Sequence, residues 1–212
     1  IIGLYIDRDS ELNDENSIWY SGGAALFNNL GNTTIKNLYL EGTVHSDNLS
    51  CAGITISNFG SIENCAVDVS IETNGDAGGF IIGTNGGTIR NSYNKGDVKG
   101  KNAGGFFSLG KVTIENCYNK GNISGSEMIG GLAGSILNGS LIKNSYNIGT
   151  IEASVNYSGA IVGRKSGATA KIENSYYLNT SIEKSNEYGE AKNADFMRSQ
   201  DFVNMLNNNT DV

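Results

Sequence analysis

Few residues of this chain have the chemistry of a reaction centre. It holds one histidine, His45, within "EGTVHSDN" (41–48). Histidine is the usual proton shuttle near neutral pH. No serine or cysteine stands at the spacing of a nucleophilic motif, so a solvated turn histidine is expected. The single tryptophan, Trp19 in "NSIWYSGG" (16–23), could stack on a sugar ring. Packing at the rim of a strand layer is the plainer expectation. "DRDSELNDEN" (7–16) carries Asp7, Asp9, Glu11, Asp14 and Glu15. Alternate carboxylates can ligate calcium, but the glycine and distal glutamate of an EF loop are missing and Arg8 sits inside. A solvated loop is expected. Gly-Gly before apolar runs resembles a phosphate loop, yet no GxxxxGK[ST] follows and no helical pattern opens after it. Cys51, Cys65 and Cys117 form no CxxC pair, so no metal site is expected. On these grounds no catalytic, cofactor-binding or metal-binding residue is assigned.

What must position these residues is a repeat. "TIRNSYNKGDVK" (88–99) is nearly rewritten as "TIENCYNKGNIS" (113–124). The same sentence appears as "TIKNLYLEGTV" (34–44), "SIENCAVDVSI" (61–71), "LIKNSYNIGTI" (141–151) and "KIENSYYLNTSI" (171–182). Anchored on Asn37, Asn64, Asn91, Asn116, Asn144 and Asn174, the steps are 27, 27, 25, 28 and 30 residues. A second signal runs in phase: "GGAALF" (22–27), "AGITI" (52–56), "GGFIIG" (78–83), "GGFFSLG" (104–110), "GGLAG" (130–134) and "SGAIVG" (158–163). Each unit therefore holds short strand-like segments separated by Gly, Asn, Asp and Ser turns. Short strands at a near-constant period predict an all-β solenoid, one coil per repeat. The expected fold is a parallel β-helix of about seven coils, right-handed because parallel crossovers favour that hand, and roughly 30–35 Å long.

The columns of the alignment carry the physics. Before each repeated Asn stands a charge of alternating sign: Lys36, Glu63, Arg90, Glu115, Lys143, Glu173. Opposite charges on neighbouring strands stabilise by roughly 0.2–1 kcal/mol a pair. Before the charge always stands Ile, at 35, 62, 89, 114, 142 and 172. Ile is expected inside and the charges outside. By the same two-residue alternation the Asn column is expected inside as a hydrogen-bonded ladder, with a left-handed corner as the competing reading. Tyr39, Tyr93, Tyr118, Tyr146 and Tyr176 form a further column, broken by Ala66. Facing outward it would be an aromatic stripe for carbohydrate or protein; partly buried packing is expected. A β-helix enzyme acting on acidic polysaccharide would need carboxylates converging on adjacent coils. Asp68 and Asp97 do not share a column, and an enzyme is not expected.

Composition narrows the partners. The chain has 212 residues, 29 Gly, no Pro and a net charge of −7. The absence of Pro suits a ladder that uses nearly every N–H. The acidic balance argues against nucleic acid and favours a soluble monomer. No apolar run is long enough to insert into a membrane. The start within a repeat at Ile1 suggests an excised fragment. Cys65 and Cys117 are two coils apart with Ser92 between, too far for a disulfide, so free thiols are expected.

From Ser185 the pattern changes. Residues 1–184 read as the β-helix domain and 185–212 as a short helical cap or a connection to a following domain. Phe196, Met197, Val203 and Leu206 can share a helical face, with Ser199 as N-cap and Asp201 in the first turn. A solenoid end needs cover against edge pairing.

"GGLAG" (130–134), "GFIIG" (79–83) and "GAIVG" (159–163), alternating with "NCYNKGNISG" (116–125), resemble the GLUG-motif repeats of bacterial surface proteins, adhesins and immunoglobulin-A-specific peptidases. The resemblance covers roughly 20–182; "AGITIS" lacks the closing Gly and "GGAALF" ends in Phe. It implies a secreted or cell-surface bacterial protein. The chain would then be a non-catalytic stalk or adhesive module that binds a host protein or glycan, or else an accessory substrate-holding domain of a large secreted peptidase. No H-E-x-x-H segment is present.

Overall fold

The structure is a computed structural model that describes residues 1–7, 23–153, 157–183, 186 and 188–208. The chain winds into a parallel β-solenoid of about six turns, one fewer than the repeat count suggests. The six-stranded sheet explains the number: its strands run from Gly23–Ala24 to Tyr157–Gly159, one per turn. The opening strand Leu4–Asp7 pairs in parallel with Tyr39–Ser46 and contributes only part of a further turn.

The register is the one the columns require. Ile35, Ile62, Ile89, Ile114, Ile142 and Ile172 follow one another across adjacent strands. The middle four are fully buried, while Ile35 and Ile172, at the ends, are half-buried. A second inward column runs Val44, Ile71, Val98, Ile123 and Ile151. A third places Ile54, Phe80, Phe106, Leu132 and Ile161 at zero exposure, with Phe80 and Phe106 stacked at 4.7 Å. Aliphatic burial in each coil, at roughly 25 cal/mol per Å² of apolar surface, is the driving term. Because each coil contacts only its neighbours, stability accumulates coil by coil.

The two glycines of each Gly-Gly pair have different reasons. A Cβ on Gly78, Gly104 or Gly130 would lie 2.0–2.3 Å from the carbonyl oxygen three residues on, so the chain turns too tightly for any side chain. A Cβ on the second glycine would first meet a carbonyl oxygen of the next coil at 2.0–2.5 Å, and then an asparagine amide from the opposite wall: Asn94 at 2.9 Å from Gly79, Asn119 at 2.6 Å from Gly105, Asn147 at 2.5 Å from Gly131.

The C-terminal segment closes the last turn. Glu190–Lys192 pairs in parallel with Tyr176–Leu178 and covers that strand's edge. Short helices follow at Ala194–Met197 and Gln200–Asn208. Ser199 is the cap expected: its Oγ accepts from the Phe202 N–H at 3.3 Å. The packing face differs. Phe202, not Val203, is the anchor: it is 3% exposed and Val203 44%. A helix starting at Ser199 turns Phe202 onto Tyr146 and Tyr176, which it meets edge-on at 5.4 and 5.7 Å. No helix among the described residues is long and apolar enough to cross a membrane.

Candidate functional site

The most organised surface surrounds the repeated Asn. All six have positive φ, from 45° to 57°. This left-handed corner corrects the expectation that they point inward. An αL residue interrupts the strand's two-residue alternation, so the charge and the Asn that follows it both face out. Asn37, Asn64, Asn91 and Asn116 are exposed; only Asn144 is buried. The corner and the ladder are nonetheless compatible. Asn116 Nδ2 donates to Asn91 Oδ1 at 3.1 Å, Asn144 to Asn116 at 3.2 Å and Asn174 to Asn144 at 2.6 Å.

The residue after each Asn returns to the interior. Cys65, Ser92, Cys117, Ser145 and Ser175 are buried there. Each donates to the carbonyl two residues before it, as Cys117 does to Glu115 at 3.2 Å and Ser92 to Arg90 at 2.8 Å. The three cysteines are free and buried. Burial pushes the Cys51 thiol up to about 11 and the Cys117 thiol to about 12. Such thiols are poor nucleophiles.

One residue further stand the tyrosines: Tyr39 is exposed, Tyr93, Tyr118 and Tyr146 are half-buried by one another, and Tyr176 is buried. Tyr93 and Tyr118 stack at 5.0 Å, Tyr118 and Tyr146 at 5.2 Å, with planes within 9°. Both alternatives for this column hold in part: it is an outer stripe, and stacking buries it. The stripe ends under Phe202 at one side and is interrupted at Ala66 on the other. Burial raises the Tyr146 phenol to about 12.

Next inward is a second asparagine row that sequence reasoning missed. Asn94, Asn119 and Asn147 are fully buried. Asn94 Nδ2 donates to Asn119 Oδ1, and Asn119 Nδ2 to Asn147 Oδ1, each at 2.8 Å. Each Nδ2 also donates to the carbonyl two residues on: Gly96, Gly121 and Gly149. The row stops at Val67, leaving Asn94 Oδ1 buried and unpaired. The signal was present: "YNKG", "YNKG" and "YNIG" recur only in the coils whose Gly-Gly pair is intact.

The charge column holds its register, but ion pairs close at one place. Glu63 binds Arg90 at 2.6 Å and Lys36 at 3.1 Å. Arg90 first, then Ser61 and Lys36, lower the Glu63 carboxyl to about 2. Elsewhere on this face Lys95 pairs with Asp68 at 2.7 Å, and Lys99 with Glu72 at 2.6 Å. These three carboxylates are thus matched to cations on neighbouring coils.

His45 sits apart on the opening strands. Its Nδ1 is 3.1 Å from Asp7 Oδ1 and its Nε2 3.6 Å from Asp47 Oδ1. Both ring nitrogens face carboxylates, Nδ1 within hydrogen-bonding distance and Nε2 beyond it. His45 and then Tyr5 hold the Asp7 carboxyl below its ordinary value. Asp9, Glu11, Asp14, Glu15 and Trp19 lie outside the described residues.

Residues 125–152 match the family model of the GLUG motif. They comprise one coil, with the "GGLAG" segment and the third member of the inner asparagine row. No curated protein and no solved structure matches the chain.

Proposed function

We propose that this chain is a non-catalytic array of GLUG-type repeats, a stalk or adhesive module of a secreted or cell-surface bacterial protein. Its lateral face would bind a host glycan or protein. The observation that carries this reading is the outer wall of stacked tyrosines flanked by a row of corner asparagines. It repeats from coil to coil and presents the edges and hydroxyls of stacked rings beside amide donors and acceptors, with the Tyr93 face left open beside Ala66. Such a surface recognises by shape and hydrogen bonding. The matched charge pairs and the raised thiols support a non-catalytic reading. The net charge of −7 supports a soluble partner rather than nucleic acid. The test is binding of the chain to a glycan array, to matrix proteins and to host cells. Retention on one of these surfaces supports the adhesive role. Failure on all three leaves only a spacer.

A further inference from the structure

The tyrosine stripe has one gap. Tyr39, Ala66 and Tyr93 occupy consecutive places in the column. Ala66 contributes a methyl where every neighbour from Tyr93 to Tyr176 contributes a ring. Two strand spacings separate Tyr39 from Tyr93, about 10 Å. A ring inserted midway would lie about 5 Å from each, the separation the stack itself adopts at 5.0 and 5.2 Å. The gap opens as a groove of about 410 Å³, floored by Leu38 and Ala66 and walled by Tyr39 and Tyr93.

The outer amide ladder breaks at the same place. It runs from Asn174 through Asn144 and Asn116 to Asn91 and ends there. Asn37, Asn64 and Asn91 line the groove. Among the described residues, the side-chain amides of Asn37 and Asn64 have no hydrogen-bond partner, and Asn91 Nδ2 donates to none. A missing ring and three unused amide edges therefore coincide.

We propose that this slot binds one uncharged pyranose ring of a glycan, between Tyr39 and Tyr93, with its hydroxyls toward Asn37, Asn64 and Asn91. The proposal deepens the adhesive reading and rests on it. A pyranose offers C–H faces to the two rings and hydroxyls at its rim. A phenylalanine side chain would fill the gap but bury the amide edges unpaired, which costs free energy. The charges around the slot cancel, with Lys36 and Arg90 flanking Glu63, so it offers no net cation to an acidic sugar. Lys95 is tied to Asp68 at 2.7 Å, and Glu41 remains at the rim, accepting from Tyr39 Oη at 2.8 Å.

The experiment is a ¹H–¹⁵N NMR titration with lactose, maltose, cellobiose and N,N′-diacetylchitobiose. 3′-Sialyllactose and N-acetylphenylalaninamide are the contrasting probes. At least one neutral sugar is expected to shift Ala66, Tyr39 and Tyr93. Ala66→Tyr fills the slot with the residue the column itself uses. It should keep or raise the unfolding midpoint and weaken binding roughly tenfold or more. Asn64→Gly removes the amide, keeps the left-handed corner, and should weaken binding without closing the gap. The proposal falls if no neutral sugar binds, if Ala66→Tyr leaves affinity unchanged, or if only the phenylalanine amide binds. Sialyllactose binding as tightly as lactose would overturn the exclusion of charge. Host-cell adhesion measured on the unmutated protein and on Ala66→Tyr separates the levels. Adhesion that survives Ala66→Tyr overturns the slot and leaves the adhesive reading standing; adhesion absent from both overturns the reading as well.

Discussion

The inner asparagine row makes a sharp energetic prediction, because its members share bonds. Asn94→Val removes two hydrogen bonds, to Asn119 Oδ1 at 2.8 Å and to the Gly96 carbonyl at 2.7 Å. Asn119→Val removes three: the one from Asn94, the one to Asn147 and the one to Gly121. At about 1 kcal/mol each, the losses are roughly 2 and 3 kcal/mol, before an apolar gain common to both. The column accepts valine sterically, since Val67 occupies the next place and packs beneath Gly53. The double variant loses four bonds rather than five, because the Asn94–Asn119 bond is shared. It also removes the buried, unpaired oxygen. Wild type has that orphan at Asn94 Oδ1. Asn119→Val leaves it there, and Asn94→Val passes it to Asn119 Oδ1. In the double variant Asn147 Oδ1 still accepts from the Gly149 N–H at 3.2 Å, so no side-chain orphan remains in the row; the Gly96 and Gly121 carbonyls lose their donors equally in the singles and cancel from the comparison. Relief of a buried unpaired group contributes about 1–3 kcal/mol. The double variant is therefore less destabilised than the sum of the singles by about 2–4 kcal/mol. Urea unfolding followed by far-ultraviolet circular dichroism gives the four free energies, provided all four proteins share one slope. Coil-by-coil unfolding would show as a changed slope. Additivity within about 0.5 kcal/mol would refute the shared-bond reasoning.

Three further outcomes follow from other parts of the molecule. Phe202→Ala should undock the helix Gln200–Asn208, at a cost of about 3 kcal/mol, seen as faster amide exchange in that helix alone; unchanged exchange would mean that Phe202 does not anchor it. Glu63 has its carboxyl lowered from 4.5 to about 2, so its stabilisation is complete above about pH 4.5 and is lost as pH falls toward 2. Glu63→Gln should flatten the fall in melting temperature across that window, and an unaltered fall would show that the Arg90 and Lys36 contacts contribute nothing. Buried thiols near 11 and 12 for Cys51 and Cys117 should resist iodoacetamide at pH 8 until denaturant is added. Rapid labelling of the native protein would contradict their burial.

The sequence by itself determined the coil. An Ile at a fixed place in every repeat can only stack on its equivalents, and alternating charges beside it demand parallel, in-register neighbours. Both are properties of period and type, and the register Lys36, Glu63, Arg90, Glu115, Lys143, Glu173 realises them. The helical tail and its cap at Ser199 were legible for the same local reason. Only the tertiary structure decided which way the asparagines face. Alternation counts residues two by two, and six αL corners each add one outward position. The ladder expected inside therefore runs outside, and a different row, Asn94, Asn119 and Asn147, takes the interior. That inner row depends on a second wall: its amides occupy the space that Gly79, Gly105 and Gly131 leave empty from 14 to 16 residues earlier in the chain. No local propensity relates the two. The slot at Ala66 has the same origin. The alanine is visible in the sequence as a break in a column, but its meaning depends on rings about 10 Å apart across three coils, and only the stack brings them face to face.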